Sequence, residues 1–562
     1  MGSVRMEERL LCAFGLLGEG PIRFESCQSI PFGGVMLMLP FLLECGLLSY
    51  RHHFNHRRNG YYSFDSLFIL IAFLYLCRIK SFEQTKHYSP GEFGKLTGYD
   101  RIPEVKTLRS MVRQITSQHE MGSWASALSE SWIHQETPEV YYIDGHIQVY
   151  HGYLANLGKK YVTRQRLCLP GMMEFWVNAS DGMPYFFVTS DINEKMGEML
   201  LRDIVPTLLA LHPVSQERRC QMEGNPDEPL FTLVFDREIW SPALFAQLWI
   251  DHRIAIITYR KNAKDKWDES LFTDYEVVTS MGGTMMQLHE QTCCHEKCTM
   301  REVRKLCNEG HQTSIVTTNK MLTTAIIASL MFARWAQENF FRYMRQEYAL
   351  DKIMQYSVDK LDIDIKVVNQ EYTNFSYRIK KEREKLGQRK AKLYQHEQQD
   401  NNHAPYREQQ GWMKKQLEMI EEIELVEQRL KGLLNKRKQI PYKISLGKMP
   451  ESIRYNRLNG ESKALQNIVK MICYRAETAL AAQLRPYYMR ANHEIRALIK
   501  SIIHTPINME VDLKNDLLII TLHTLSNQRC NYAVNKICDK VNQTNTLYPS
   551  ANHRLFFKNE TF

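Results

Sequence analysis

The chain has 562 residues, 44% hydrophobic and 11% aromatic, enough apolar surface for packed cores, which excludes a disordered polymer. Seventy-two Lys and Arg face sixty-three Asp and Glu, a formal charge of +9 that admits a nucleic-acid or acidic-membrane partner without demanding one. Thirteen cysteines follow no disulfide-framework spacing, no secretory leader pattern is evident, and "VMLMLPFLL" and "LFILIAFLYLC" fall short of the ~20 apolar residues of a spanning helix, so a reduced, cytoplasmic protein with no membrane partner is expected.

Residues 1–135 read as an N-terminal all-α domain, with Pro103 near the start of one helix and cations further along it. From about 136 to 355 the texture is that of an α/β core. "EVYYIDGHIQVYHG", "RQRLCLPGMMEFWVNAS" and "MPYFFVTSDIN" are strand candidates, and a helix follows them. "PLFTLVFDREIW" is a short buried strand ending in Asp236, "SPALFAQLWIDH" a helix capped by Ser241, and "RIAIITYRK" another strand. A β-rich insertion with glycine turns is expected over about 265–320.

Residues 366–440 differ in kind. Phe375, Ile379, Leu386 and Leu393 recur at helical spacing, as do Met413, Leu417, Ile420, Ile423, Val426, Leu430 and Leu433. Two long helices folded as an antiparallel, coiled-coil-like hairpin are predicted, serving as a solvated spacer or as a binding arm. Residues 441–562 read as an α+β region with a hairpin in "NMEVDLKNDLLIITLH" turning at Lys514-Asn515-Asp516. No Walker loop and no G-x-G-x-x-G after a strand is present, so nucleotide-driven chemistry is not indicated.

Three acids sit at informative places. Asp144 interrupts the first core strand, Asp236 ends the fourth, and Glu338 lies in "MFARWAQENFFRYMRQEYALD". If the first and fourth strands are neighbours, the two aspartates lie side by side, and a helix beside the sheet can bring Glu338 to them. Hard oxygen ligands from separate elements suit Mg²⁺ or Mn²⁺. At ~100° per residue, Glu347 and Asp351 point away from Glu338, whereas Met331, Arg334 and Arg345 fall within about 40° of it. Each acid alone has a plain alternative: a turn, a cap, a solvated helix face.

These segments resemble the ribonuclease H-like DDE transposases of bacterial insertion sequences. One group of them carries Y-x2-R-x3-E-x6-K on the last acidic helix; here Met331, Arg334, Glu338 and Arg345 hold those places, with Met for Tyr and Arg for Lys. "YYIDGHIQVYHG" and "TLVFDREIWS" are similar to the two aspartate strands of that group, and the long β-rich segment between Asp236 and Glu338 to its insertion. The resemblance implies a ribonuclease H-like catalytic core acting on double-stranded DNA, both transposon ends and target, as a homodimer in the synaptic complex. Asp144, Asp236 and Glu338 would be catalytic and hold two Mg²⁺ (or Mn²⁺) ions, while Arg334 and Arg345 would contact phosphate. The alternatives are a catalytically silent DNA-binding descendant and a nuclease that only hydrolyses.

Other residues invite weaker assignments. His146 shares a strand face with Asp144 and either assists the site or is merely packed. Arg237 neutralises phosphate or pairs with a carboxylate. "TYRKNAKDKW" gathers Arg260, Lys261, Lys264 and Lys266 beside Trp267, a set suited to phosphates and an unpaired base. Cys293, Cys294, His295, Cys298, Cys307 and His311 are zinc-ligand types without a paired CxxC spacing, so zinc is not favoured.

Overall fold

The computed structural model describes residues 4–54, 60–152, 155–263, 265–279, 282–296, 298–351, 358–360, 364, 366–398, 405–449, 456–458, 460–490, 492–551 and 553–560. It divides into two compact units. The larger comprises Met1–Gly152, Gly158–Tyr356 and Asn459–Phe562, and the smaller Tyr153–Leu157 and Ser357–Leu458.

In the larger unit the N-terminal segment is mostly helical, as its sequence predicts. The expectation of an all-α segment fails at one place: strand β1 (Cys27–Ile30) pairs antiparallel with Ile507–Asp512 of the C-terminal region. Helix Phe64–Leu76 is apolar on every side because it is buried on every side, and Ser63 caps it by accepting from the Ser66 amide (3.1 Å). The 20-residue stretch Gly33–His52 is longer than its apolar runs suggested, with a mean hydropathy of 1.5 over its most apolar 18-residue window, 72% of which is buried inside the fold.

The central sheet has ten strands. They are β2 (Val140–Val149), β3 (Lys159–Val162), β4 (Leu167–Asn178), β5 (Pro184–Asp191), β6 (Phe231–Phe235), β7 (Ile254–Tyr259), β8 (Thr273–Thr279), β9 (Gly282–His295), β10 (Cys298–Leu306) and β11 (Gln312–Thr317). The main path runs β3-β4-β2-β6-β7-β11-β10-β9-β8, with β5 on β4. β2, β6 and β7 are parallel, and β4 and β5 are antiparallel additions at one side. Every residue of β6 is buried, the pattern of a central strand covered on both faces. The β-rich segment predicted at 265–320 extends this sheet: β11 pairs antiparallel with β7, and β10, β9 and β8 continue as a meander.

Helix Glu461–Leu484 is almost wholly buried although its sequence is rich in polar residues. Several of them find partners in the rest of the unit. Asn467 donates to Glu174 (2.7 Å), Lys463 to the Leu350 carbonyl (2.8 Å), and Arg475 to the Pro184 carbonyl (2.8 Å). Glu477 pairs with Arg78 (2.6 Å) and Arg496 (3.2 Å). The predicted C-terminal hairpin is present: Ile507–Asp512 and Leu517–Leu522 pair antiparallel, with Asp516 left-handed (φ 53°) and Asp512 accepting from the Lys514 amide.

The smaller unit is the predicted helical hairpin, Gln370–Glu397 followed by Tyr406–Gln439. Its antiparallel sense is plain from cross-helix contacts: Arg389 to Glu422 (2.8 Å), Lys390 to Glu427 (2.7 Å), and His396 stacked on Trp412 (4.8 Å). Ile379, Ile423 and Val426 fill the seam. Met413 and Leu417, expected there, are 63% and 61% exposed; near the tip the seam is occupied by the His396–Trp412 stack. Short antiparallel ribbons, Lys366–Val368 with Lys443–Ser445 and Val358–Lys360 with Asn456–Leu458, close its base.

Candidate active site

The two aspartates are set by strand register. Ile143 of β2 lies opposite Phe235 of β6, the last residue of that short strand. β2 is not interrupted at Asp144, as its sequence suggested, but runs on to Val149 paired with β4. Asp144 follows the last β2–β6 pair and Asp236 follows the end of β6, so the two lie side by side where the parallel pairing stops, the usual place for ligands in α/β sheets. Asp144 accepts from the Gly145 amide (2.9 Å). Asp236 is indeed also a cap, accepting from the Arg237 amide (2.7 Å) at the turn Arg237–Ile239, while Ser241 caps helix Pro242–His252.

The helix bearing Glu338 runs Arg334–Tyr348, and the reading of one continuous helix from Met331 to Asp351 is corrected here. A preceding helix, Thr324–Phe332, ends at Ala333, whose ψ of −10° breaks the phase. Met331 therefore leaves the Glu338 stripe and packs, fully buried, in a cluster with Tyr142, Val234 and Ile257. The helix ends at left-handed Ala349 (φ 49°). Glu347 turns away from the acids, as its angle predicts, and pairs with Arg78 (2.8 Å).

Two contacts fix this helix against the sheet. Gln337, 2% exposed, donates from Nε2 to Asn178 Oδ1 (2.9 Å) and toward the Tyr142 carbonyl (3.3 Å). Gly182, in the turn between β4 and β5, has φ 91° and lies so close that a Cβ there would stand 2.8 Å from the Ala336 carbonyl oxygen. Glu338, one residue on from Gln337, is exposed at the crevice side.

The three acids feel one another. Burial pushes the Asp144 carboxyl up to about 6; Arg334 opposes this, and the neighbouring Asp236 and Glu338 charges add to it. Arg334 also pairs with Asp236, Nη1 to Oδ1, at 3.6 Å. Tyr259, at the end of β7, faces the same group; burial raises its phenol, Arg334 lowers it, and Asp236 and Glu338 raise it. The ligand oxygens of the three acids do not all lie within 4.8 Å of one another.

Further along the helix, Arg345 lies near His146 and Arg164, which sequence reasoning missed. Arg164 follows β3 and donates to the Ile147 carbonyl (3.2 Å); nothing in its local sequence marks it. His146 is 5% exposed and stacks on Phe341 at 5.1 Å, the packed position of its two alternatives, and burial holds its imidazole well below the usual range. Arg237 is exposed beside Asp236.

The basic stretch after β7 is tied into the fold. Arg260 donates to both oxygens of Glu302 (3.1 and 3.0 Å), and Arg304 donates to Glu302 (2.7 Å) while lying over the Trp267 ring (4.0 Å). Lys266 donates to the Gly310 carbonyl (3.1 Å), Lys261 is exposed, and Lys264 lies outside the described residues. The expectation of a free cationic loop with an open tryptophan face is thus corrected: Arg304 covers that ring. Of the cysteine and histidine candidates, Cys293 and His295 come together with Glu302, their ligand atoms within 4.8 Å. Glu302 already accepts from two guanidinium groups and from Ser314 (2.7 Å), and burial pushes the Cys293 thiol up to about 11, so the group is neutralised from within.

What the arrangement offers is a crevice of three hard-oxygen carboxylates, one within β2, one after β6 and one on a helix, with guanidinium groups along that helix. No curated protein sequence matches the chain. A family profile does: that of Transposase_29, described as transposase protein, matches residues 1–560, and the chain belongs to that transposase family, whose partner is DNA.

Proposed function

We propose that the chain is a DDE-type DNA transposase with a ribonuclease H-like core, cleaving at transposon ends and joining them to target DNA. The observation that carries this reading is the convergence of Asp144, Asp236 and Glu338 from two adjacent parallel strands and one helix into a single electrostatic cluster. The order β5-β4-β2-β6-β7, with the first three strands antiparallel and the last three parallel, supports the fold assignment.

The donor set fits divalent cations. Three carboxylates share the crevice; burial raises the Asp144 carboxyl, Arg334 opposes it, and the Asp236 and Glu338 charges add the smaller increments that a bound cation would relieve. Asp144, Asp236 and Glu338 would hold Mg²⁺ or Mn²⁺, two ions in this reading, whose chemistry is to activate the attacking oxygen and stabilise the leaving one. The chain's own residues do the rest. Asp144 holds a proton at its carboxyl below about pH 6 and is a ligand only above it. Arg334 exchanges its contact with Asp236 for a phosphate oxygen of the entering strand. Arg345, roughly 16 Å further along the helix, grips the same backbone away from the scissile bond.

The test uses duplex DNA carrying the sequences that flank the chain's own gene, with Mg²⁺ or Mn²⁺. Joined products are expected, and Glu338→Gln should lower their yield at least ~10³-fold, on the scale of losing a catalytic group. Cleavage without joining would reassign the protein as a nuclease. DNA binding with neither reaction, unchanged by Glu338→Gln, would leave only a silent descendant.

A further inference from the structure

We infer that the helical hairpin is a DNA-backbone clamp, with one phosphate strand lying in a groove at its base. The inference rests on the transposase reading only for the identity of the polyanion. It stands on the hairpin's own geometry.

Charge is segregated along the hairpin. Near the base, residues 371–386 and 429–438 hold ten Lys and Arg against three Glu. Toward the tip, residues 387–397 and 406–428 hold six Lys and Arg against seven Glu. A spacer kept soluble by its charges has no need of this asymmetry.

At the base the two helices form a groove of about 380 Å³. Arg378, Lys381 and Lys385 stand at i, i+3 and i+7 on one helix, a single stripe. Arg429, Gly432 and Lys436 stand at the same spacing on the other. In the antiparallel register Arg378 faces Lys436, Lys385 faces Arg429, and Lys381 faces the glycine. Like charges thus oppose one another across a trough whose floor is opened by a residue without a side chain. Lys385 pairs with Glu382 on its own helix (2.8 Å), and among the described residues the other four cations have no carboxylate partner. Glu382 also lines the groove, so five cations face one carboxylate and the trough carries a net positive charge for an anion to meet. Each stripe spans roughly 10 Å, about three phosphates at 3.4 Å of rise per strand. Exposed Tyr377 lies beside the groove with Lys381 over its ring (4.9 Å).

Gly432 makes the proposal sharp. A Cβ there meets nothing within 4 Å, so the backbone tolerates substitution. Gly432→Glu should stabilise the helix through better propensity while placing a carboxylate in the trough.

The experiment is fluorescence anisotropy of the full chain with a 30-base-pair duplex of arbitrary sequence over a range of NaCl. The groove variant is Arg378→Gln/Lys381→Gln/Arg429→Gln. The control, Lys392→Gln/Lys414→Gln/Lys415→Gln, removes the same charge elsewhere on the hairpin. The groove variant should weaken binding ~10-fold or more at moderate salt and reduce the slope of log K against log salt by about 2, and the control by less than half of that. Gly432→Glu should weaken binding while unfolding no earlier than wild type. Equal effects of groove and control variants, or unimpaired binding by Gly432→Glu, would overturn the inference and leave the transposase reading intact. Failure of the wild type to bind duplex DNA at any salt would remove both.

Discussion

Charge is handled in opposite ways in the two compact units. In the larger, charges are taken out of water and paired. Glu477 is fully buried, and although burial opposes its ionisation, Arg78 and Arg496 outweigh it and hold its carboxyl below the usual carboxylate range, with Tyr343 donating as well (2.7 Å). In the hairpin, charges stand in water, and at its base they are mostly cations that make no ion pair among the described residues, Lys380 and Lys385 excepted. The contrast separates two uses of the same side chains. A buried ion pair fixes where elements sit, because breaking it leaves an uncompensated charge in low dielectric. An exposed, unpaired cation fixes nothing and remains available to a partner.

The largest effect should come from breaking the buried network. Glu477→Gln leaves Arg496 without its counter-charge and Arg78 with Glu347 alone, and should cost about 3–5 kcal/mol in urea unfolding at pH 7. The network also touches the Glu338 helix through Tyr343 and, by way of Arg78, Glu347. Cleavage should therefore fall even at temperatures where the variant stays folded. A loss under 1 kcal/mol would show that these charges are only decorative.

Next comes the close approach at Gly182. Its φ of 91° disfavours any side chain, and the Ala336 carbonyl stands where a Cβ would go. Gly182→Ala should cost about 1–3 kcal/mol and shift the Glu338 helix off the sheet. With Glu338 in its proposed role, DNA cleavage is sensitive to its placement and should drop more than stability does. Circular dichroism melts alongside cleavage rates separate the two.

The acid cluster is where sequence and structure can be compared most closely. Asp144 and Asp236 were legible because the strands that carry them follow from residue pattern, and register then sets them side by side, although β2 runs on through Asp144 where its Asp-Gly pair suggested an interruption. Glu338 was legible from angle alone. The break at Ala333 was not: alanine is a good helix former, and only the tertiary anchors, Tyr142 donating to the Leu330 carbonyl and Gln337 gripping Asn178, force the phase change. The angular argument therefore held within one helix and failed across the break, at Met331. Likewise Arg260 and Trp267 looked free because their neutralising partners, Glu302 and Arg304, lie some forty residues on, on a strand whose pairing no local pattern reveals. The buried polar helix Glu461–Leu484 was hidden for the same reason: its partners come from across the larger unit.

Asp144 gives a pH signature of intermediate size. Its carboxyl is raised from 3.8 to about 6, so the folded chain keeps a proton that the unfolded chain has already lost. The stabilisation is complete below about pH 4 and disappears as pH rises through 6. Two units would be worth almost 3 kcal/mol, and for a half-buried group about 1–2 kcal/mol is expected. Stability should fall by that amount between pH 4 and 7 in wild type and not in Asp144→Asn, which should be the more stable protein at pH 7 and inactive. Identical pH profiles would mean that burial does not hold the Asp144 carboxyl above its ordinary range.

The smallest effect belongs to the hairpin's surface pairs. Lys390 and Glu427 lie 2.7 Å apart across the helices, yet their side chains are 55% and 47% exposed. Their attraction is screened by water, and holding two long side chains in one geometry opposes it. A double-mutant cycle of Lys390→Ala and Glu427→Ala should give a coupling below about 0.5 kcal/mol, vanishing in 1 M salt. A coupling above 1 kcal/mol would mean that hairpin charges hold structure much as Glu477 does. The unpaired cations at the base would then lose their distinctive meaning, since the comparison between the two units depends on surface pairs doing little for the fold.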